Sequence, residues 1–307
     1  MIPVLDWRRF AADRDAFVAD LSAACRGPGF FLLTHHGLHP ALRDGVFTQA
    51  DAFFALPEAD KARVSIRDNP HNRGWGAPGL EALDETAGQA DRKETFNIGL
   101  DLNPDDPRVL AGEPFRGVNQ WPDLPGFRET MLECFDAMHA LGVTLHRVVA
   151  RDLGLEEDIF EGVFDGSMSI LRLLDYPPAT GAAGEIGAGA HTDYGALTLL
   201  MTDGAPGLQL RPRGGDWTSV PHRDGALVVN IGDALMRWTN DIYRSTPHRV
   251  LAPARRRRSV AFFLEARPDA VIAPLPGTGA AKYPPIRAAD YLRGRLDDTY
   301  QAGETSS

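Results

Sequence analysis

The chain has 307 residues, of which 43% are hydrophobic and 24% are charged, a composition that excludes a disordered or fibrous protein. Its formal net charge of -10 argues against nucleic acid as a partner, because phosphate binding needs a concentrated positive surface. No run approaches the roughly 18 apolar residues that a membrane span requires, and the N-terminal segment lacks the apolar stretch of a signal peptide, so we expect a cytoplasmic protein with no membrane partner.

The N-terminal third alternates predicted helices with a short apolar run. An amphipathic helix is predicted over Asp13 to Cys25 and a buried strand over Phe30 to Leu33, which together resemble a βαβ opening. A second helix is predicted over Pro40 to Leu56. The segment from Asp68 to Gly88 is rich in Gly, Pro, Asn and Asp, which is typical of a long surface loop near a binding site. We expect residues 1–110 to form an N-terminal region packed on the core.

The remaining residues, 111–307, predict a catalytic region of short strands with a backing helix. From Gly126 to Gly154, apolar residues recur every three or four positions, the period of a helix with one buried face. The predicted strands are Ser167 to Tyr176, Leu197 to Thr202, Leu208 to Arg211, Ala226 to Ile231, Leu235 to Thr239 and Ser259 to Leu264. Asn240 and Asp241 predict a hairpin turn, and Ala288 to Tyr300 a final helix. This pattern indicates an α+β protein with a mainly β core, an antiparallel barrel or jelly roll with flanking helices.

The segment His191-Thr192-Asp193 carries two kinds of metal ligand. On an extended backbone residues i and i+2 point the same way, so His191 and Asp193 can converge on one ion. His248 lies 57 positions after His191 (248 minus 191), enough chain to run round a small barrel and supply a third ligand. Two imidazoles and one carboxylate leave one face of an octahedral ion open, as in non-haem iron(II) oxygenases. Because a lone HxD tripeptide is more often structural, its context carries the prediction.

That context is the Arg-x-Ser pair of Arg257 and Ser259, which follows His248. On a strand these two side chains share a face, and a guanidinium is suited to bidentate recognition of a carboxylate. Period-two alternation places Arg256 and Arg258 on the opposite face, where we expect a solvated basic run. The pair therefore predicts an anion site beside the three candidate ligands.

A family resemblance extends over nearly the whole chain. It is carried, in order, by GFFLLTHHGL, KETFNIG, LRLLDYPP, HTDYGALTLL, LVVNIGD, YRSTPHRV and RRRSVAFFLEARPDA. These runs resemble segments of the isopenicillin N synthase-like family of iron(II)/2-oxoglutarate-dependent dioxygenases. The resemblance implies a double-stranded β-helix core and an Fe(II) ion held at His191, Asp193 and His248.

The resemblance also implies a 2-oxoglutarate site and an activity. Arg257 and Ser259 would hold the distal carboxylate of this co-substrate, and Tyr176 would add a hydrogen bond to it. With O2, the implied activity is hydroxylation or desaturation of a small-molecule metabolite, with release of succinate and CO2. An iron oxidase of the same family that needs no 2-oxoglutarate would use Arg257 and Ser259 for the substrate's own carboxylate. A zinc hydrolase and a non-catalytic binding protein are alternatives from other classes.

Arg172 is the first candidate for substrate contact. Counting inward faces from Tyr176 in steps of two reaches Arg172, and a buried Arg facing a cavity suggests an anionic or carbonyl-bearing substrate. A structural ion pair with an acid, such as Asp175 or Glu185, is the alternative.

Three further substrate candidates follow from position along the chain. The same counting from Ser259 reaches Phe263, an apolar wall candidate whose alternative is ordinary core. Arg73 and Trp75 lie in the predicted surface loop, where they could form a lid. The identity of the substrate and the oligomeric state do not follow from the sequence.

Overall fold

The computed structural model describes residues 2–80, 91–182 and 185–304. The helices in this part of the chain are α1 (Arg9–Ala12), α2 (Arg14–Arg26), α3 (Pro40–Phe54), α4 (Glu58–Ala62), α5 (Pro107–Leu110), α6 (Phe127–Asp152), α7 (Asp233–Trp238) and α8 (Ala288–Glu304), with a 3-10 helix at Ile66–Asp68. The strands are β1 (Val4–Asp6), β2 (Phe30–Thr34), β3 (Gly74–Gly76), β4 (Glu94–Gly99), β5 (Ile170–Tyr176), β6 (Ile186–His191), β7 (Leu197–Thr202), β8 (Leu208–Leu210), β9 (Thr218–Ser219), β10 (Leu227–Ile231), β11 (His248–Leu251), β12 (Arg257–Leu264), β13 (Val271–Ile272) and β14 (Ile286–Arg287). None of these helices is long and apolar enough to cross a membrane.

Two sheets enclose the centre of the molecule. The larger sheet has the order β1-β2-β10-β7-β12-β5-β4-β3, and the smaller has the order β6-β11-β8-β9. Apolar side chains from both sheets form one buried cluster, which includes Phe30, Leu174, Ala188, Leu208 and Val250. The sheets therefore pack face to face, and the predicted jelly roll with flanking helices is confirmed.

The other face of the larger sheet is covered by helices, chiefly α6. The predicted apolar stripe of this helix is buried against the sheet, through Met131, Phe135, Met138, Leu141, Leu145 and Val149. The helices expected over Asp13 to Cys25, Pro40 to Leu56 and Ala288 to Tyr300 are observed as α2, α3 and α8. The predicted βαβ opening is also present, because β1 and β2 pair in parallel.

The N-terminal region contributes strands to the same sheet as the core. Strands β1 to β4 all lie in the larger sheet, with β4 paired to β5. The boundary at residue 110 stays a prediction. Within the predicted surface loop from Asp68 to Gly88, residues 74–76 form the buried strand β3, so that part is not a surface loop. Residues 81–88 lie outside the described residues.

Two further expectations about local structure were wrong. The predicted strand Leu235 to Thr239 is the helix α7, in which the buried residues recur with helical rather than alternating spacing. Asn240 and Asp241 do adopt positive φ angles of 52° and 67°, but they end a helix rather than connect two strands. A short apolar run does not by itself distinguish a helical turn from a strand.

The arginines assigned to a solvated run are ion-paired instead. Arg256 and Arg258 both contact the buried carboxylate of Asp175, over 2.7 Å and 3.0 Å respectively. Arg258 also contacts Asp51, over 2.6 Å. Because Asp175 lies on the neighbouring strand β5, this pairing requires the tertiary register of the sheet.

Candidate active site

Strand pairing brings together the three predicted metal ligands. His191 ends β6 and His248 begins β11, and the two residues lie directly opposite each other in the antiparallel register. Asp193 Oδ1 lies 3.7 Å from His191 Nε2 and 3.6 Å from His248 Nε2. The three ligand atoms lie within 4.8 Å of one another, close enough to bind one ion. We call these three residues the triad.

Hydrogen bonds orient each imidazole of the triad. His191 Nδ1 lies 2.7 Å from the carbonyl oxygen of Gly189, and His248 Nδ1 lies 3.2 Å from that of Thr246. Each Nδ1 therefore carries its proton toward a carbonyl, which leaves Nε2 with its lone pair directed at the common point. Metal-binding histidines are commonly held in this way.

The Asp193 carboxylate is held through one oxygen only. Thr198 Oγ1 and Asn230 Nδ2 donate hydrogen bonds to Oδ2 over 2.6 Å and 2.7 Å. Oδ1 is thereby left to face the two imidazoles. The triad thus presents two imidazole nitrogens and one carboxylate oxygen, a donor set that fits Fe(II).

The protonation states of His191 and Asp193 also suit a cation. Burial and, next, the His248 imidazole lower the pKa of His191 to about 3. Burial raises the pKa of Asp193, but the facing imidazoles outweigh burial and hold this pKa below its usual range. Burial lowers the pKa of His248, but Asp193 outweighs it and raises that pKa. At neutral pH His191 is therefore neutral and Asp193 ionised, the forms that bind metal, whereas metal binding must displace the proton that the raised pKa favours on His248.

An inner cavity between the two sheets leads from the triad to Arg257. It is lined by all three triad residues and also by Tyr176, Arg257 and Ser259. In the register of β12 and β5, Arg257 lies opposite Tyr176, and its guanidinium lies 4.9 Å from the centre of the Tyr176 ring. The alternation predicted along both strands therefore places these side chains on one wall.

Arg257 is a buried cation without an anion among the described residues. Its side chain is 1% exposed, Nη1 donates to Ser259 Oγ over 3.3 Å, and Nε has no hydrogen-bond partner. A buried guanidinium is costly unless an anion meets it. Its position in the wall of the inner cavity, beside Tyr176 and Ser259, fits the carboxylate of a bound co-substrate.

Two regions of the chain match known protein families. Residues 2–124 match the N-terminal region described as non-haem dioxygenase in morphine synthesis, and residues 167–266 match the 2OG-Fe(II) oxygenase superfamily. The 2-oxoglutarate-Fe(II) type oxidoreductase hxnY of Emericella nidulans is 36% identical, over 98% of this chain and 91% of its own. The chain belongs to the iron(II)/2-oxoglutarate-dependent dioxygenase family. The family predicted from the sequence is thus confirmed.

Further members of the family support the cofactor prediction. The 2-oxoglutarate-dependent dioxygenase citB of Monascus ruber is 37% identical, over 91% of this chain and 88% of its own. A full-length Neurospora crassa protein, solved in complex with alpha-KG and thymine, has a TM-score of 0.84 at 32% identity and covers 97% of this chain and 96% of that one. The dioxygenase therefore uses Fe(II), 2-oxoglutarate and O2. These relatives do not favour an oxidase that works without 2-oxoglutarate.

An outer cavity adjoins the triad of the dioxygenase on its other side. It shares His191, Asp193, Arg172 and Phe263 with the inner cavity. Arg172 Nε donates to Asn97 Oδ1 over 2.8 Å, and the guanidinium lies 5.8 Å from the centre of the Phe263 ring. Both substrate candidates found by counting along strands therefore line the space beside the triad.

The acids considered as partners of Arg172 pair elsewhere. Asp175 contacts Arg258, as described above, and Glu185 contacts Arg92. Neither of the two ion pairs considered as an alternative for Arg172 is therefore formed among the described residues.

Arg73 and Trp75 have different positions, although they are two residues apart. Arg73 lines the outer cavity, where its Nη1 donates to the carbonyl of His71 over 2.9 Å. Trp75 is buried in the helix-covered core, and its Nε1 donates to Glu94 Oε2 over 2.8 Å. Trp75 lines neither cavity, so it does not have the position expected of a lid or a substrate contact.

Three titratable wall residues were missed by sequence reasoning. Lys93, which forms an ion pair with Asp91, lines the inner cavity, and nothing in its local sequence marks it. Tyr194 lines the outer cavity, and counting along a strand does not reach it because the chain is no longer a strand after His191. Glu265 also lines the outer cavity, and it could have been found by counting two positions beyond Phe263.

Proposed function

We propose that His191, Asp193 and His248 hold the Fe(II) ion of this dioxygenase and that the enzyme hydroxylates a small-molecule metabolite. The convergence of their three ligand atoms within 4.8 Å supports this assignment. In this arrangement Thr198 and Asn230 hold the noncoordinating oxygen of Asp193, and the backbone carbonyls hold both imidazoles. Bound Fe(II) supplies the redox chemistry of the reaction. In that reaction 2-oxoglutarate and O2 are converted into succinate and CO2, and the substrate is oxidised.

The observation that carries the proposal is the buried Arg257 in the wall of the inner cavity. In our proposal its guanidinium binds the distal carboxylate of 2-oxoglutarate, with Ser259 Oγ as a second donor and Tyr176 beside it. The anion satisfies the buried cation and orients the other end of the molecule toward the triad. A zinc hydrolase has no need of such a second anion site.

The outer cavity is the proposed substrate site. Arg172 and Arg73 provide donors for a carbonyl or anionic group, and Phe263 provides an apolar face beside the triad. The similar Neurospora crassa protein is described in complex with thymine and with 5-formyluracil, so these two small molecules are the first that we would offer to this chain. Cytoplasmic location and the absence of a nucleic acid partner stay predictions from the sequence.

The test compares succinate formation by anaerobically iron-loaded variants after admission of O2 and 2-oxoglutarate. His248→Ala should abolish iron-dependent turnover, because one of three ligands is lost. Arg257→Met should raise the 2-oxoglutarate Kd by about 30-fold or more, since removing one partner of a buried charge pair costs about 2–5 kcal/mol. Arg255→Met is the matched control, because Arg255 belongs to the same basic run but its side chain is 61% exposed. Equal 2-oxoglutarate affinity in both Arg variants would refute the proposed anchor.

A further inference from the structure

Glu265 is a buried acid in the outer cavity that lacks a partner among the described residues. It directly follows β12 and is 7% exposed. Its carboxyl forms no hydrogen bond or ion pair within residues 2–80, 91–182 and 185–304. A Cβ added to Gly195 would lie 2.7 Å from Oε1, so the carboxyl packs against the backbone that follows Asp193. A largely buried carboxyl without a protein partner is costly, which suggests that a ligand in the cavity supplies the partner.

The surroundings of Glu265 favour its neutral form. Burial is the largest cause that raises the pKa of Glu265, and it acts whether or not a cation offsets the charge of the nearby Asp193. A protonated carboxyl offers one O–H donor and one carbonyl acceptor to whatever lies in the cavity.

The other walls of the outer cavity restrict the group that can meet this carboxyl. Arg73 and Arg172 line the same cavity, and two guanidiniums disfavour a cationic group there. Ile170, Phe263 and Leu292 contribute apolar surface, which suits an apolar ring or chain. A neutral polar group on an apolar body therefore matches these walls best.

We propose that Glu265 recognises the substrate of this dioxygenase by pairing with a neutral N–H or O–H group on the ring or chain of that substrate. The inference rests on the function proposed above. It places the polar end of the substrate against Glu265 and leaves its apolar body beside Phe263 and the triad. Glu265 is then a residue that determines specificity, and it takes no part in holding Fe(II) or 2-oxoglutarate.

The first part of the test is thermal melting of protein loaded with Mn(II) and 2-oxoglutarate, without a substrate. Glu265→Leu should melt about 2 °C or more above the wild type, because it removes an unpartnered buried carboxyl. Glu161→Leu is the control, since Glu161 is exposed and lines neither cavity. A lower melting temperature for Glu265→Leu would show a structural role and overturn the proposal.

The second part compares ring compounds that differ by one methylated donor. The probes are thymine with 1-methylthymine and 3-methylthymine, phenol with anisole, and indole with 1-methylindole. For a ring that fits, the donor should bind about 5- to 150-fold more tightly than its methylated counterpart, because methylation leaves the buried carboxyl unpaired. Glu265→Leu should lose this preference, and Glu265→Gln should keep part of it, since an amide both donates and accepts.

Each outcome bears on one proposal. Equal binding of donor and methylated probes, or a preference that survives in Glu265→Leu, overturns the role of Glu265. If no probe binds, the melting comparison alone decides. Succinate formation by the wild type reports separately on the proposed function, because its absence overturns that function while donor-independent binding overturns only the Glu265 proposal.

Discussion

Replacing Thr198 with Val should weaken iron binding without disturbing the fold. Thr198 and Asn230 donate the two hydrogen bonds to Asp193 Oδ2, over 2.6 Å and 2.7 Å. Val retains the shape and the strand propensity of Thr but leaves Oδ2 with a single donor, so the carboxylate can rotate away from the ion.

The size of this effect follows from two independent estimates. A hydrogen bond to a charged group contributes about 1.5–3 kcal/mol, and loss of a partner behind a metal ligand typically weakens metal affinity by about 10- to 100-fold. A 10- to 100-fold change corresponds to about 1.4–2.8 kcal/mol, so the two estimates agree. We expect the Fe(II) affinity of Thr198→Val to fall within this range.

The measurement is anaerobic competition for Fe(II) against a chelator of known affinity. Thr202→Val is the matched control, because Thr202 lies on the same strand and its hydroxyl lies 3.4 Å from His222 Nδ1, outside both cavities. Circular dichroism should show both variants folded. If Thr198→Val binds Fe(II) within twofold of Thr202→Val, the hydrogen bond to Asp193 does not orient the ligand and the reasoning fails.

The remaining predictions concern stability, measured by urea denaturation. Burial lowers the pKa of His146 from 6.5 to about 4. The contribution of neutral His146 to the free energy of unfolding is therefore complete above pH 6.5 and is lost as the pH falls toward 4. Between pH 7 and pH 5 the loss from His146 should be about 2 kcal/mol, and His146→Phe should reduce the total loss of stability by this amount; an equal total loss in the variant would contradict this cause. Met138→Ala should lower the free energy of unfolding by about 2–5 kcal/mol because Met138 is fully buried. A decrease below about 1 kcal/mol would mean that the core closes around the cavity. Asp175→Asn should lower the free energy of unfolding by about 3 kcal/mol. This is the low end for a broken buried ion pair, because Arg258 still contacts Asp51 in the variant. An unchanged free energy of unfolding would show that the pair is not stabilising.

Much of the candidate site was predictable because strand geometry is local. Side chains alternate along any strand, so counting in steps of two placed Arg172 and Tyr176 on one face of β5. The same counting placed Arg257, Ser259 and Phe263 on one face of β12, and all five side chains line the inner cavity. The same rule would have reached Glu265. Helices with a long apolar stripe, above all α6, were predicted for the same reason, since their period follows from backbone geometry alone.

Rules based on local composition and strand alternation failed where the chain departs from regular structure. Trp75 lies in a segment whose composition indicates a loop, yet it is buried against Glu94 through pairing of β3 with β4. Tyr194 turns toward the outer cavity because the strand has already ended at His191. These outcomes depend on contacts between distant segments, which composition does not report.

The sequence by itself determined the family, the β-rich core, the residue types at the site and the faces that they share along each strand. Only the tertiary structure decided that His191 and His248 lie opposite each other, that Asp175 rather than solvent meets Arg258, and that Glu265 is buried without a partner among the described residues. The physical reason is the distance along the chain over which each property is determined. The direction of a side chain along a strand follows from covalent geometry, whereas its partner and its exposure depend on which distant strands pair and in what register.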